Sequence, residues 1–539
     1  MRVAEESANG RVGRYEALIF FTGAVTLSLE VLASRIMTPY FGVSLYIWAG
    51  ILSITLVFLA LGYHFGGRIS RGRPQAALQM LLLIAPVIAA LSLVLAALIY
   101  PLLFPPLSGL NLILASFLGG IILLAVPLVV LSAMNPLLIA LARDECAAGD
   151  GGAGRVFFIS TIGSVAGVVL TAFVMIPNLS NWGSVVWLGL LLCLTTGGLT
   201  LGTGELPRRH RWRLLLLCMA VALLGGVLLA GQRAYFKALA HTTAVGRQYV
   251  VLAEYPSVFG NIKVVARQDD SGEEQPDILY LQDGIVQNHV SGAGDGLDHT
   301  SDLLRLIETY APQAGEALVL GLGAGIIPQA LKQQGWRVTV VEINHRSLQA
   351  AREFFGFNPT GMEIIEADAR TLVRRRAQAF DLAVVDLFQG DGTPDYLLTL
   401  EFFRDLRTCL RPSGLVVMNA FFDPLNDAAY QRLLATLAGA FTNLLESRPS
   451  SVDPVENAYI LAAGHPLTAE PAIWAARQLP HLPKKQYKTL MAARPINRQL
   501  LSGIDPVRDN HNIFSLLMAD SQIRARRQFN QLPWHLLVN

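Results

Sequence analysis

"LVLGLGAGIIPQALKQQGWRVTVVEIN", from Leu318 to Asn344, reads as a strand, a glycine turn, a helix and a second strand that ends in an acid. Gly321, Gly323 and Gly325 let the backbone turn sharply and approach a ligand closely. The helix that follows points its positive end at the same turn, a place that attracts anions. Glu342 ends the next strand about 20 residues beyond the first glycine, where a carboxylate can accept from both hydroxyls of a ribose. By itself this unit fits any nucleotide-binding enzyme with a doubly wound sheet, including a dinucleotide enzyme.

The surrounding sequence narrows the choice. Strands at Ala317–Leu320, Val338–Val341, Glu363–Glu366, Leu382–Val385 and Leu415–Met418 alternate with helical stretches, which predicts a parallel Rossmann-like sheet. Upstream, "QYVVLAEYP", "NIKVVAR" and "ILYLQDGIVQN" predict a small antiparallel β cap with a turn at Asp283-Gly284. Downstream of Pro424 the chain reads as helical and mixed, with peripheral helices over Lys484–Asn539. Asp368 follows the third strand in "IIEADAR", and Asp386 ends the fourth in "LAVVDLFQGDGTPDYL". Acids at the ends of three successive strands suit an adenosine sulfonium ligand, one each for ribose, adenine and reacting centre. Any one of them could merely cap a following helix; the three together point to a ligand.

The N-terminal half is of another kind. The chain has 539 residues, 53% hydrophobic and 15% charged, and the charges are sparse up to about Gly231. A membrane span needs about 20 mostly apolar residues. Seven stretches qualify: Tyr15–Met37, Leu45–Phe65, Ala77–Phe104, Asn111–Ala142, Val156–Ile176, Trp182–Leu201 and Leu214–Gly231. The expected division is therefore 1–232 transmembrane helices, 233–310 linker and β cap, 311–425 nucleotide-binding core, and 426–539 C-terminal extension. Basic residues gather in the second loop (Arg68, Arg71, Arg73), the fourth (Arg143, Arg155) and the sixth (Arg208, Arg209, Arg211, Arg213), which places the N-terminus inside. An odd span count would then carry the soluble half outside. Either one segment is re-entrant, or the count of about seven is off by one, or the catalytic half really is outside; a miscount is the expectation, with the catalytic domain on the cytoplasmic side of the inner membrane. Glu30 and Arg35, in or near the end of the first span, form either a site opening on the bundle or an internal ion pair. Ser160, Thr161, Gly163, Ser164 and Gly167 read as close helix packing.

Four scattered cysteines give neither a disulfide framework nor a zinc site, and no metal is expected. A net charge of +2 gives no sign of nucleic acid as a partner. Membrane lipids and a small amine or lipid-like acceptor are the expected partners, and homo-oligomer formation stays open.

From about Gln248 to Ala420 the chain resembles the spermidine synthase (polyamine aminopropyltransferase) family, and as a whole, "EVLASRIMTPYFG" included, its membrane-fused version. Asp283, Gly284 and Gln287 match that family's Leu-x-Asp-Gly-x-x-Gln strand, and His299 matches the histidine of its Tyr-His-Glu helix, with Thr300 in place of the glutamate. The resemblance implies that Glu342 takes the ribose, that Asp368 with Ala369 takes the adenine, and that Asp386 is the base that accepts a proton from the attacking amine. It assigns Gly321, Gly323, Gly325 and Gln287 to the cofactor, and His299, Asp283 and Asp391 to the acceptor. Three positions depart from the pattern: Gly260 replaces a glutamine, Ala324 replaces the glycine-turn aspartate, and Gln389 stands at the catalytic loop's second aspartate, with Asp391 nearby as a substitute. In the family the glycine-turn acid holds the aminopropyl amine and would repel the carboxylate of ordinary S-adenosylmethionine.

The leading expectation is aminopropyl transfer from decarboxylated S-adenosylmethionine, or S-adenosylmethionine, to an amine. A second is methyl or aminocarboxypropyl transfer from S-adenosylmethionine to a lipid-like acceptor. A third is a transporter or sensor whose nucleoside-binding domain does not catalyse, against which the retained Asp386 counts.

Overall fold

The fold is taken from a computed structural model that describes residues 2–42, 45–143, 152–202, 207–240, 247–269, 276–291, 299–388, 392–449, 456–478, 482–529 and 532–539. The chain divides into two compact units, Met1–Thr243 with Leu532–Asn539, and Ala244–Gln531.

The first unit is helical. It contains α1 (Arg2–Phe41), α2 (Leu45–Ser70), α3 (Gln75–Leu107), α4 (Leu112–Arg143), α5 (Ala153–Leu170), a π-helical turn at Thr171–Met175, α6 (Ile176–Asn178), α7 (Asn181–Gly202), α8 (Arg208–Ala230) and α9 (Gln232–Ala240). Among the described residues seven helices are long and apolar enough to cross a membrane, counting α5, the π turn and α6 as one. The count by length and composition is thus the seven stretches read from the sequence. Cβ atoms added at Gly163 and Gly167 of α5 would run into the carbonyl oxygens of Phe20 and Ala24 on α1. With no Cβ on either glycine, the two backbones touch, and Ser164 donates to the Gly23 carbonyl at 3.0 Å. The charged pair that ties α1 to α5 is Glu16–Arg155 at 2.7 Å, near the N-terminal end of α1. Both Glu30 and Arg35 are partly buried.

One end of this bundle carries the basic loops, where Arg14 donates to the Gly202 carbonyl at 3.0 Å. The opposite end holds α9 and the last residues of the chain. There Tyr235 of α9 donates to the Leu98 carbonyl at 2.6 Å, Asn539 donates to the Arg35 carbonyl at 3.1 Å, and the Trp182 N–H donates to the Asn539 carbonyl at 2.7 Å.

The second unit begins with an antiparallel sheet of β1 (Arg247–Tyr255), β2 (Ile262–Asp269), β3 (Asp277–Gln282) and β4 (Ile285–Val290), in that order. Helix α10 (His299–Tyr310) leads into β5 (Glu316–Leu320), α11 (Ile326–Gln333), β6 (Arg337–Glu342), α12 (His345–Phe354), β7 (Glu363–Glu366), α13 (Ala369–Val373), β8 (Phe380–Val385), α14 (Leu400–Cys409) and β9 (Leu410–Phe422). The five strands β7-β6-β5-β8-β9 are parallel neighbours in that order, a Rossmann-like arrangement whose order reverses between β5 and β8. The remainder comprises α15 (Ala428–Ala438), β10 (Asn443–Ser447), β11 (Glu456–Ala463), α16 (Glu470–Gln478), α17 (Lys484–Met491), β12 (Ala493–Pro495), α18 (Phe514–Phe529) and α19 (Trp534–Leu537).

The C-terminal part is more than an appendage. Strand β11 pairs antiparallel with β9, β10 antiparallel with β11 and β12 antiparallel with β10, which extends the main sheet to eight strands. Alternate residues of β9 and β11 enter the apolar cores on the two faces of the sheet: Val416, Met418 and Ile460 on one, Leu415, Val417 and Leu461 on the other. Leu532–Asn539, with α19, belongs to the helical unit instead.

Candidate active site

At the reversal of strand order, the carboxyl ends of β5, β6 and β8 wall a cleft with about 1060 Å³ of empty space, part of it open to solvent. Gly321, Gly323, Glu342, Asp368, Ala369, Asp386, Gln287 and His299 all line it. Asp283 and Gly325 are not part of the described wall, and Asp391 lies outside the described residues.

The glycine turn is forced by its neighbours. Gly321, Gly323 and Gly325 have φ of 94°, 52° and 79°, the left-handed region that side chains disfavour. A Cβ at Gly321 would also strike the Asp386 carbonyl oxygen, and one at Gly325 would stand 2.7 Å from the Phe357 ring. Gly325 is therefore a packing residue. Asn288 of β4 accepts from the Ala324 N–H at 2.9 Å and so pins the turn from the smaller sheet.

Each of the three acids is fixed by hydrogen bonds. Glu342 accepts from the Leu322 N–H at 2.9 Å and the Asn344 N–H at 2.8 Å, one on each oxygen. Each oxygen keeps a lone pair for a ribose hydroxyl. Burial pushes the Glu342 carboxyl up, only partly opposed by backbone N–H groups, so it lies above the ordinary 4.5. Asp368 caps α13 through the Thr371 N–H at 2.9 Å, as any acid at that position would. Its second oxygen accepts from the Tyr396 hydroxyl at 2.7 Å, which brings a ring to the mouth of the cleft.

Asp386 has a different setting. His299 Nε2 lies 3.3 Å from its Oδ2, and Asn419 Nδ2 donates to its Oδ1 at 3.1 Å. Burial alone would raise this carboxyl, but His299, as charge and as hydrogen-bond partner, together with Asn419 outweighs it and holds the group below the ordinary 3.8. The result is a carboxylate and an imidazole in contact within one cleft, a pair able to take up and pass on a proton.

Asn419, Asn288 and Tyr396 do not emerge from the motifs. The sheet explains Asn419: Val385 pairs with Met418, so the next residue of β9 falls beside Asp386. Asp283, at the β3–β4 turn with φ of 48°, reaches the neighbouring β1–β2 connection, where its Oδ1 accepts from the Asn261 N–H at 2.9 Å. Gly260 leaves room for its neighbours, since a Cβ there would stand 2.7 Å from Asp283 Oδ2 and 2.9 Å from Gln282 Nε2. Gln282, which lines the cleft, donates to the Phe259 carbonyl at 2.9 Å.

The sequence around this cleft has close relatives. A polyamine aminopropyltransferase of Neisseria meningitidis serogroup A is 31% identical over 186 residues, covering 32% of this chain and 67% of that protein. The chain belongs to the polyamine aminopropyltransferase family. Another member, from Vibrio vulnificus, is 31% identical over 118 residues, and the match spans 21% of this chain and 40% of the relative's length. A family model described as a methyltransferase domain matches residues 318–418. A crystal structure of a probable spermidine synthase from Corynebacterium glutamicum is 21% identical with a TM-score of 0.40, covering 48% of this chain and 97% of that one.

Proposed function

We propose that this chain is a membrane-embedded, spermidine synthase-like transferase that moves an aminopropyl group from an S-adenosylmethionine-type donor to an amine. The observation that carries the reading is the Asp386 carboxylate, held by His299 and Asn419 in the cleft that Glu342 and Asp368 also line. Glu342 would take the ribose and Asp368 with Ala369 the adenine. The amine nitrogen then forms a bond to the carbon beside sulfur as the carbon–sulfur bond breaks. That electron pair goes to sulfur, cancels the sulfonium charge and frees methylthioadenosine, while the ammonium proton passes to the Asp386–His299 pair. Such a displacement needs chiefly alignment and a base. No metal enters the scheme.

Ala324 favours a second reading on the same fold. In the family an acid at this position holds the donor's amine and repels a carboxylate. With a buried alanine there, intact S-adenosylmethionine is admissible, and with it methyl or aminocarboxypropyl transfer. Product analysis separates the two. The detergent-solubilised protein with its native lipids is given either donor, and the released nucleoside is identified by mass spectrometry. Methylthioadenosine released from the decarboxylated donor is the expected product; methylthioadenosine released from intact S-adenosylmethionine would establish aminocarboxypropyl transfer, and S-adenosylhomocysteine methyl transfer.

The helical unit is read as a multi-pass bundle in the cell membrane. With the basic loops inside, seven spans carry the chain beyond α8 to the opposite side, the end at which α9 and Asn539 pack. On this reading the transferase unit faces away from the cytoplasm, contrary to the expected cytoplasmic placement. Labelling of single cysteines placed in β1 and in the α2–α3 loop, in intact cells, checks it: β1 reacts with an impermeant reagent and the loop does not. The reverse pattern restores the cytoplasmic placement.

A further inference from the structure

The nucleoside end of the cleft is completed by a segment that the motifs do not supply. Pro394, Tyr396 and Leu397 line the cleft, as do Asp368 and Ala369. Asp368 Oδ1 accepts from the Thr371 N–H at 2.9 Å and from the Thr371 hydroxyl at 3.0 Å, which fills both lone pairs of that oxygen. The Tyr396 hydroxyl donates to the other oxygen, Oδ2, at 2.7 Å. Oδ2 is therefore the oxygen left to receive an adenine amino group, and Tyr396 sets its orientation. Tyr396 is also 43% exposed, and accessible aromatic rings stack on nucleobases. The residue is fixed from further along the chain. Its carbonyl accepts from Arg370 Nη1 at 3.0 Å, and Arg370 pairs with Asp509 through its other Nη. The Asp395 carbonyl accepts from Asn512 Nδ2 at 2.9 Å, and the Asp395 carboxylate accepts from the Ser515 N–H at 3.2 Å and from the Ser515 hydroxyl. Residues 509–515 thus brace the peptide groups on both sides of the Tyr396 Cα, and none of them is in the described wall of the cleft.

Resting on the transferase reading, we propose that Tyr396 positions the nucleobase and makes the site selective for a 6-aminopurine nucleoside. Its ring carries the base, its hydroxyl aims Asp368 Oδ2 at the 6-amino group, and residues 509–515 hold both in place. A 6-oxo purine presents a carbonyl oxygen to that carboxylate instead of an N–H, so two acceptors meet and the hydrogen bond is lost.

A matched pair of probes tests the selectivity without turnover. Binding of methylthioadenosine and of its 6-oxo counterpart, methylthioinosine, to the full chain in detergent is measured by calorimetry. The wild-type chain is expected to prefer methylthioadenosine about tenfold or more. Tyr396→Phe keeps the ring and loses the hydroxyl, so methylthioadenosine affinity should fall about fivefold while methylthioinosine affinity holds, which narrows the preference. Tyr396→Leu should weaken both nucleosides about tenfold. Ser515→Ala, remote from the cleft wall, should lower methylthioadenosine affinity about threefold. An unchanged preference in Tyr396→Phe overturns the proposal. Tighter methylthioadenosine binding in that variant overturns it too, by making the hydroxyl a competitor of adenine for Oδ2. Undiminished binding in Tyr396→Leu removes the ring from the site, and undiminished binding in Ser515→Ala removes the brace. Failure of the transferase reading itself has a separate signature, since the wild-type chain would then bind neither nucleoside, whereas wild-type binding with indifferent Tyr396 variants sinks the role of Tyr396 alone.

Discussion

The two ends of the cleft are built on opposite principles. At the nucleoside end the acids are held chiefly by backbone N–H groups, of Leu322 and Asn344 for Glu342 and of Thr371 for Asp368, which also accepts from the Tyr396 hydroxyl. At the reacting end, Asp386 is held by side chains from distant parts of the chain, His299 on α10 and Asn419 on β9, and the two residues after it, Leu387 and Phe388, also line the cleft. The first end thus rests largely on the backbone and the second on side chains, where substitution can retune the acceptor while the donor pocket stays intact.

Breaking the reacting end should therefore cost turnover and spare binding. Asp386→Asn removes the base, and a loss of about 10²- to 10⁴-fold in turnover is expected, with methylthioadenosine affinity nearly unchanged. Steady-state kinetics beside calorimetry reads both, and a parallel loss of affinity would place Asp386 at the nucleoside end. Breaking the other end has the converse signature. Glu342→Ala forfeits two hydrogen bonds to a charged acceptor, each about 1.5–3 kcal/mol, so nucleoside affinity should fall about 10²- to 10⁴-fold. Undiminished affinity would remove Glu342 from the ribose site.

The same contrast decides what the sequence reveals. Gly321, Gly323, Glu342, Asp368 and Asp386 are legible because a strand end fixes its acid at the cleft whatever else the chain does. Asn419 is not, because only the pairing of Val385 with Met418 brings it beside Asp386, and that register is set by two strands far apart in the chain. Asn288 is hidden for the same reason, lying on the smaller sheet yet accepting from Ala324 in the glycine turn of the larger one. The C-terminal strands were obscured by their length: β12 has three residues and β10 five, too short for a clear period. In the helical unit, composition gave the spans directly, while the Glu16–Arg155 pair needed the close approach of α1 and α5.

Asn419 sharpens the comparison at smaller amplitude. Asn419→Ala should lower turnover about tenfold through the loss of one hydrogen bond to a charged group. It should also move the acid limb of the pH–rate profile upward, because a donor that favours the ionised Asp386 is gone. A fall in rate with an unmoved profile would make Asn419 a packing residue and no more.

The smallest effect is the response of nucleoside binding to pH. Glu342 lies above its ordinary 4.5 and Asp386 below its ordinary 3.8, so on acidification from neutrality Glu342 takes up its proton first. Affinity for methylthioadenosine should fall several-fold as pH drops through the raised pKa of Glu342, through loss of the charged ribose acceptor. Linkage separates this from unfolding. A raised carboxyl opposes folding while it is charged, and that opposition fades as pH falls through its folded pKa, so Glu342 itself favours the fold on acidification. The paired carboxylates Asp277, Asp381, Asp423 and Asp509 are depressed, so their contribution is full above the ordinary 3.8 and is lost only as pH falls through their lower folded values. Binding should therefore weaken while circular dichroism stays constant, and Glu342→Gln should bind less tightly at neutral pH but lose this acid limb. An acid limb that survives in Glu342→Gln would assign the titration to another group of the cleft.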